Sequence, residues 1–232
     1  MLITLALPGR DSIPFAHHGA ARAATPFEAT MPDPRFDPSR AVTFDLAHGL
    51  VHLEGGPSRL LVPAEALGAL ARAAGPVAGA IFGRAIGEAM GARVASRLAA
   101  SGGADSVGGA AGATIEAVVE HLGGELALAG LGSLGLERWG RAMVLVIDRS
   151  PLGAEGDALV EAALAAAVEA TASRRVRALL LGRAGVRARF LIGSQGGVEK
   201  VRAWLDEGLS WGDALVRLHA PAGRAEQVGG EA

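Results

Sequence analysis

Histidine is the residue type in this chain best suited to metal binding and to acid–base chemistry near neutral pH. Six histidines are present, and two pairs are close in sequence: His17 with His18, and His48 with His52. In a strand, a separation of four residues places side chains about 13 Å apart, so His48 and His52 are not expected to share a metal ion. His17 and His18 are interpreted as solvated, and His121 as partly buried beside an apolar helical stripe. We therefore predict no metal site.

Other residue types that carry chemistry are missing or lie outside a catalytic motif. The chain has no cysteine, which excludes disulfides, thiolate zinc ligands and cysteine nucleophiles. It contains no GxxxxGK[ST], HExxH or GxSxG motif. The segment GLGSLGL at residues 130–136 follows a predicted helix and precedes a predicted strand, the reverse of a dinucleotide-binding turn. We therefore predict no bound cofactor, and we favour a protein that is not an enzyme.

The charge distribution argues against nucleic acid as a partner. The formal net charge is −2 and the two signs are interspersed, so no broad basic face is predicted. One local exception is a predicted hairpin in which Arg187 and Arg189 share a face, with Arg175 and Arg177 on the opposite strand. This basic strip is interpreted as a solvated face, with an anionic headgroup or an acidic partner as the alternative.

Five glycines recur at intervals of four residues: Gly75, Gly79, Gly83, Gly87 and Gly91. Glycine inside a helix costs about 1 kcal/mol relative to alanine, so their alignment on one helical face needs an explanation. A face without side chains lets another backbone approach closely. Three occupants stay open: a second helix of the same chain, a partner chain, or a long apolar ligand. For a partner chain, we assign Gly79, Gly83, Gly87 and Gly91 to the interface.

The compartment is predicted to be the cytoplasm. The amino-terminal apolar stretch has no basic residue before it, which is the wrong order for a secretory signal. Arg84, Glu88 and Arg93 interrupt the glycine-bearing helix before 18 apolar residues accumulate, so no membrane span is predicted.

Composition along the chain divides it into three segments. Residues 1–40 hold six of the eleven prolines and lack periodicity, which is typical of a flexible leader. Residues 41–219 carry ordered patterns and are predicted to form one domain, and residues 220–232 are predicted to be a flexible tail. At 232 residues, one domain with tails is the expected organisation.

The predicted elements follow an α+β order rather than a repeating βαβ order. A short strand pair and a third strand at 59–62 precede a helix that opens at Pro63 and the glycine-bearing helix. A helix capped by Thr114 then leads to a hairpin at 134–148, a helix at 155–171, a second hairpin, and two short helices beginning at Ser194 and Ser210. The expected architecture is a helical layer packed on a small antiparallel sheet.

These patterns resemble the 4-vinyl reductase domain family, which is related to subunits of the transport protein particle that tethers vesicles. Four stretches carry the resemblance, over about three quarters of the chain: GLVHLEGGPSRLLVPAEAL, AGAIFGRAIGEAMGARV, VVEHLGGELALAGLGSLGLERWGRAMVLV and GVRARFLIGSQGGVEKVRAWL. The resemblance implies an α+β domain that pairs through its helices and often encloses a narrow apolar pocket. Family sensors bind zinc through cysteines, and family tethering subunits carry a fatty acyl group on one. This chain has no cysteine, so neither feature is carried over.

Three functions follow from these observations. The main prediction is a non-catalytic binding or scaffold protein that forms a homodimer, or pairs with another protein, through the glycine-lined helix. The alternative is a sensor or carrier domain that holds a small hydrophobic ligand. An accessory enzyme of vinyl-group reduction is the weakest, because no hydride-donor site is evident. The candidate pocket residues are Ile81, Phe82, Ile86, Met90, Leu126 and Phe190.

Overall fold

The computed structural model of the protein describes residues 41–53, 56–101 and 113–220, and all of them belong to one compact unit. Several predictions fall on other residues. The leader of residues 1–40 with its two adjacent histidines, the connector at 102–112 and the tail from residue 221 lie outside the described residues. The division of the chain into three segments therefore stays a prediction.

The described residues form an α+β fold, as predicted, with helices packed against antiparallel sheets. The strands are β1 (Val42–Asp45), β2 (Leu50–Leu53), β3 (Ser58–Arg59), β4 (Ser133–Trp139), β5 (Ala142–Asp148), β6 (Arg177–Ala184) and β7 (Arg187–Gly193). The helices are α1 (Ala64–Ser101), α2 (Ile115–Leu128), α3 (Asp157–Ala172), α4 (Gln195–Asp206) and α5 (Trp211–His219). The main difference from the prediction is β3, which ends at Arg59 instead of continuing to Val62.

A four-stranded antiparallel sheet in the order β4-β5-β7-β6 forms the middle of three layers. Alternate residues of its central strands enter two different cores. Leu145 and Phe190 face α1, α2 and α3, whereas Val144 and Leu191 face α4 and α5. This two-sided burial explains why β5 has the continuous apolar run that predicts a central strand.

Helix boundaries follow local capping chemistry. The side chains of Thr114, Ser194 and Ser210 accept hydrogen bonds from backbone N–H groups in the first turns of α2, α4 and α5. The caps at Thr114 and Ser194 were predicted. At the other end of α2, Gly130 has a φ of 68°, a left-handed conformation that favours glycine and ends the helix. The chain then enters β4 instead of forming a phosphate-binding turn.

The glycine-lined face of α1 is filled by α3 of the same chain. A Cβ built on Gly83 would lie 2.1 Å from the carbonyl oxygen of Leu159, and one on Gly87 would lie 2.1 Å from that of Ala163. A Cβ built on Gly91 would lie 2.4 Å from the carbonyl oxygen of Ala167. The two backbones touch along two helical turns. This corrects the assignment of these glycines to an interface with a partner chain, because α3 already occupies the space.

The two remaining glycines of the series have other roles. Gly79 makes only ordinary contact, since an added Cβ would lie 3.9 Å from the Leu159 nitrogen. Gly75 has φ 80° and ψ 171°, and it interrupts α1 immediately before Pro76. Pro76 lacks an N–H and therefore suits the first turn of the helical segment that follows the kink.

Strands β1, β2 and β3 form a separate small sheet with one apolar and one polar face. Its register pairs Val42 with Leu53 and Phe44 with Val51, which places these four side chains on the same face. Phe44 is 56% exposed, and no residue of the three strands is fully buried. Val42, Val51 and Leu53 are half-buried, so the apolar face of the small sheet is partly covered and is most exposed at Phe44.

Helix α1 is long and apolar enough to cross a membrane by length and composition, with a mean hydropathy of 1.3 in its best 18-residue window. The charged residues noted in the sequence do not prevent this, because that window contains at most two of them. Only 17% of the window is buried. A single helix of this kind is weak support for a membrane span, so the prediction of none stays a prediction.

Candidate functional site

A groove of about 540 Å³ lies where α1, α3, α4 and β6 meet. Its lining combines small or aliphatic side chains with charged ones. The apolar lining residues are Ala80, Ile81, Ala158, Ala162, Ala165, Ala178 and Leu180, and the charged ones are Arg84, Asp157, Glu161, Arg177 and Arg202. The alanines leave the space open, because larger side chains at the same positions would fill it.

Glu161 links α3 to β6, an edge strand of the four-stranded sheet that forms one side of the groove. Its carboxylate accepts a hydrogen bond from the Leu180 backbone N–H at 2.8 Å and faces the Arg202 guanidinium at 3.4 Å. In the same way, Glu169 accepts from the Val176 N–H at 3.2 Å. Two carboxylates of α3 therefore occupy one N–H group of this edge strand and one immediately before it, which disfavours pairing with another strand there.

The groove combines paired carboxylates with an arginine that has no such partner. Asp157 pairs with Arg183, and Arg84 lies 3.2 Å from Glu169 and 3.5 Å from Glu88. Among the described residues, Arg177 forms no ion pair. The charged lining comprises three arginines and two carboxylates, so the groove has a small excess of positive charge. It is suited to a mainly apolar molecule with a hydroxyl or an anionic end.

The six predicted pocket residues do not gather around this groove. Ile81 borders it, and Phe82 is 48% exposed on the surface of α1. The others belong to the core between the helices and the sheet: Ile86 packs against that core, and Met90, Leu126 and Phe190 are buried within it. Of the charged lining residues, Arg177 was predicted as part of the basic strip; the other four were not predicted, because they lie on three elements that are distant in sequence.

A buried ionic cluster lies between α1 and α2. The Glu125 carboxylate has no exposed side-chain area and accepts from Arg93 Nε at 2.9 Å and from Arg97 Nη2 at 2.5 Å. His121, one turn earlier on α2, is also buried. The sequence contains a signal for this cluster, because both residues fall on the same helical face as Val118 and Leu122. The predicted partial burial of His121 understates the structure, in which it is 3% exposed.

The predicted basic strip on the second hairpin does not form as expected. The register pairs Arg177 with Gly193 and Arg187 with Ala184, so these two arginines lie at opposite ends of the hairpin. Arg189 is engaged by Glu137 of β4 at 2.9 Å and also lies over the ring of Trp211. Arg177 therefore lines the groove, whereas Arg187 and Arg189 lie toward the other end of the hairpin, where Arg189 is paired with Glu137.

The Glu137–Arg189 pair predicts a specific acid sensitivity. The hydrogen bond from Arg189 lowers the pKa of Glu137 below its ordinary value of 4.5. A carboxyl with a lowered folded-state pKa stabilises the protein above its unfolded-state pKa, and this stabilisation is lost as the pH falls through the folded-state pKa. We expect the free energy of unfolding of the wild type to fall more steeply below about pH 4.5 than that of Glu137→Gln.

Urea unfolding at pH 7, 4.5 and 3 measures this difference. The control is Glu199→Gln, which changes an exposed carboxylate of α4 that no arginine contacts among the described residues. Equal pH slopes for the wild type and Glu137→Gln would show that the pair does not contribute.

His48 and His52, which were considered as metal ligands, each contact a different partner. His48 Nδ1 lies 2.9 Å from Asp45, an interaction that lowers the pKa of this carboxyl, and His52 Nδ1 lies 3.0 Å from the Gly56 carbonyl oxygen. Within residues 41–53, 56–101 and 113–220, no three histidine, aspartate or glutamate side chains form a metal-binding group.

Comparison with known proteins identifies a likeness in fold. No protein-family model matches this chain, and no curated protein matches it at a significant level. Its structure is similar to the crystal structure of the phenol-responsive sensory domain of the transcription activator PoxR with phenol. The TM-score is 0.52 with 17% sequence identity, over 84% of this chain and 100% of that chain. At this identity the likeness shows the fold alone.

Proposed function

We propose that this chain is a sensor-type domain that binds a small, mainly apolar molecule in the groove between α1, α3, α4 and β6. The observation that carries the proposal is the groove itself. Its volume of about 540 Å³ lies in the range of small-molecule sites, and its lining combines seven apolar residues with five charged ones. A solved domain of similar fold is described as phenol-responsive, which supports a small aromatic ligand. The resemblance to the 4-vinyl reductase domain family points in the same direction.

The dimeric scaffold predicted from the glycine-lined helix is the less favoured function. Its interface was assigned to a face that α3 covers at Gly83, Gly87 and Gly91. A partner could reach this face only if α3 left the core, in which Leu159 and Leu164 are buried. Vinyl-group reduction is not proposed, because the groove offers no feature specific to a hydride donor.

Filling the groove tests the proposal. Ala162 is half-buried and lines the groove, so the ring of Ala162→Phe is expected to occupy the ligand space. Phenol, benzoate and decanoate are titrated calorimetrically into the wild-type full chain. We expect at least one of the three to bind, and Ala162→Phe to weaken that binding by about tenfold or more, because a ligand in a concave site depends on contact with most of its surface.

The matched control is Ala92→Phe, which adds the same ring at an exposed position of α1 outside the groove. It should bind like the wild type, and both variants should retain the wild-type circular dichroism spectrum. If none of the three probes binds and native mass spectrometry of freshly purified protein detects no small molecule, the proposal fails. Equal binding by Ala162→Phe and the wild type would place the ligand elsewhere.

A further inference from the structure

Both carboxylates that line the groove are already engaged within the domain. The two oxygens of Asp157 accept from the Arg183 guanidinium, with Oδ2 at 3.2 Å from Nε. Glu161 accepts from the Leu180 backbone N–H through one oxygen at 2.8 Å, and from Arg202 through the other at 3.4 Å. Each carboxylate oxygen in the lining therefore has a hydrogen-bond donor before any ligand enters.

The other side chains of the lining offer hydrogen-bond donors only. Seven of the twelve lining residues are alanine, isoleucine or leucine, which have no polar side-chain atom, and the remaining three are arginines. A guanidinium carries five N–H donors and no acceptor. A ligand hydroxyl can accept from an arginine, but its own proton then lacks an unengaged side-chain acceptor. A carboxylate has no such proton, so the lining matches an anionic group better than a hydroxyl.

Arg177 is the arginine of the lining that can receive this group. Arg84 lies 3.2 Å from the Glu169 carboxylate. Arg202 is engaged by Glu161 at 3.4 Å. Within the part of the chain that the structure describes, no carboxylate pairs with Arg177, the first residue of β6. The planar fork of a guanidinium fits both oxygens of a carboxylate, and such charge-assisted hydrogen bonds are about twice as strong as neutral ones.

We infer that the groove selects ligands that carry a carboxylate, and that Arg177 determines this specificity. The ligand class is small aromatic or aliphatic carboxylic acids in their ionised form. Their apolar part packs against Ala162, Ala165 and Ala178, and their carboxylate binds the Arg177 guanidinium. This inference rests on the proposed function, because it assigns the ligand chemistry of the same groove. It predicts a ligand class different from phenol, which is neutral at pH 7.

Calorimetric titration of the full chain at pH 7 with two matched pairs of probes tests the inference. Benzoate is compared with benzyl alcohol, and octanoate with 1-octanol, so each pair shares its apolar part and differs in charge. For at least one pair, we expect the acid to bind about tenfold more tightly than the alcohol, because a hydrogen bond to a charged group contributes at least this factor.

Variants of Arg177 assign the preference to this residue. Arg177→Gln should remove the preference for the acid and leave the binding of the alcohols unchanged. Arg177→Lys should keep part of the preference, because the charge remains and the planar fork is lost. The matched control is Arg175→Gln, which makes the same change two residues earlier, at an exposed position outside the groove. It should bind all four probes like the wild type, and every variant should retain the wild-type circular dichroism spectrum.

Three results would overturn the inference. Alcohols that bind as tightly as their acids, or more tightly, would show that the groove does not select charge. A preference for the acid that persists in Arg177→Gln would place the carboxylate elsewhere. An equal loss of preference in Arg177→Gln and Arg175→Gln would assign it to overall charge.

The proposed function is judged by a different outcome. Binding of the alcohols that is weakened by Ala162→Phe would keep the ligand groove while its selectivity for carboxylates is rejected. Absence of binding by all four probes would overturn the inference, and the proposed function then depends on the probes and the native mass spectrometry described for it.

Discussion

Glu125→Gln is expected to lower the free energy of unfolding by about 3–5 kcal/mol, because it leaves two largely buried arginines without their shared carboxylate. Glu125 joins α2 to Arg93 and Arg97 of α1, and its side chain has no exposed area. The amide keeps the size of the side chain but loses the charge. Chemical denaturation monitored by circular dichroism at pH 7 measures the change.

Glu116→Gln is the control for this prediction. It makes the same chemical change on the same helix, in a pair with Arg138 whose two side chains are more than 60% exposed. Exposed ion pairs contribute about 0–1 kcal/mol, so this variant should remain close to the wild type. If Glu125→Gln and Glu116→Gln behave alike, the buried cluster does not have the stabilising role assigned to it.

Replacement of the cluster with apolar residues separates the role of the charge from the role of burial. The triple variant Glu125→Leu, Arg93→Met and Arg97→Leu removes all three charges of the cluster. Such replacements of buried ion pairs are often neutral or stabilising. We therefore expect the triple variant to be more stable than Glu125→Gln, although it differs from the wild type at three positions.

Gly87→Ala is expected to be the most disruptive single-methyl substitution in α1, with a loss of about 3 kcal/mol or more. The added Cβ would lie 2.1 Å from the Ala163 carbonyl oxygen and 2.8 Å from its carbonyl carbon and Cα. The clashing atoms are backbone, so neither helix can relieve the contact by changing a rotamer. The helices must move apart and lose contact along their length. Thermal unfolding followed by circular dichroism reports the loss as a lower Tm.

Gly79→Ala should act in the opposite direction. Its Cβ would lie 3.9 Å from the nearest neighbouring atom, the Leu159 nitrogen, which is ordinary contact distance. Alanine favours the helix by about 1 kcal/mol relative to glycine, so this variant should be as stable as the wild type or more stable. Destabilisation of equal size at both positions would contradict the proposed close contact between α1 and α3.

Much of the fold was predictable because local physical chemistry specifies it. The alternation in β1 and β2, the apolar run of β5 and the caps at Thr114, Ser194 and Ser210 each depend on neighbouring residues only. The predicted end of β3 at Val62 was wrong. The segment at 60–62 has the apolar composition of a strand, but it has no partner strand to pair with.

The candidate site was much less predictable. Ile81 was the single pocket residue that the groove retains, since the prediction selected large apolar side chains and these fill the core. The groove is instead defined by alanines, whose small size creates space, and by charged residues from separate elements. Neither feature has a characteristic spacing in the sequence.

The sequence by itself determined the α+β order of elements, the capped helix starts and the presence of a helical face without side chains. Only the tertiary structure decided what occupies that face, which charges meet at the groove and that Glu125 is buried. The physical reason is that a bare helical face can accept any closely approaching backbone, whether from the same chain or another. The choice depends on contacts between residues about eighty positions apart, such as Gly83 and Leu159, which no local pattern records.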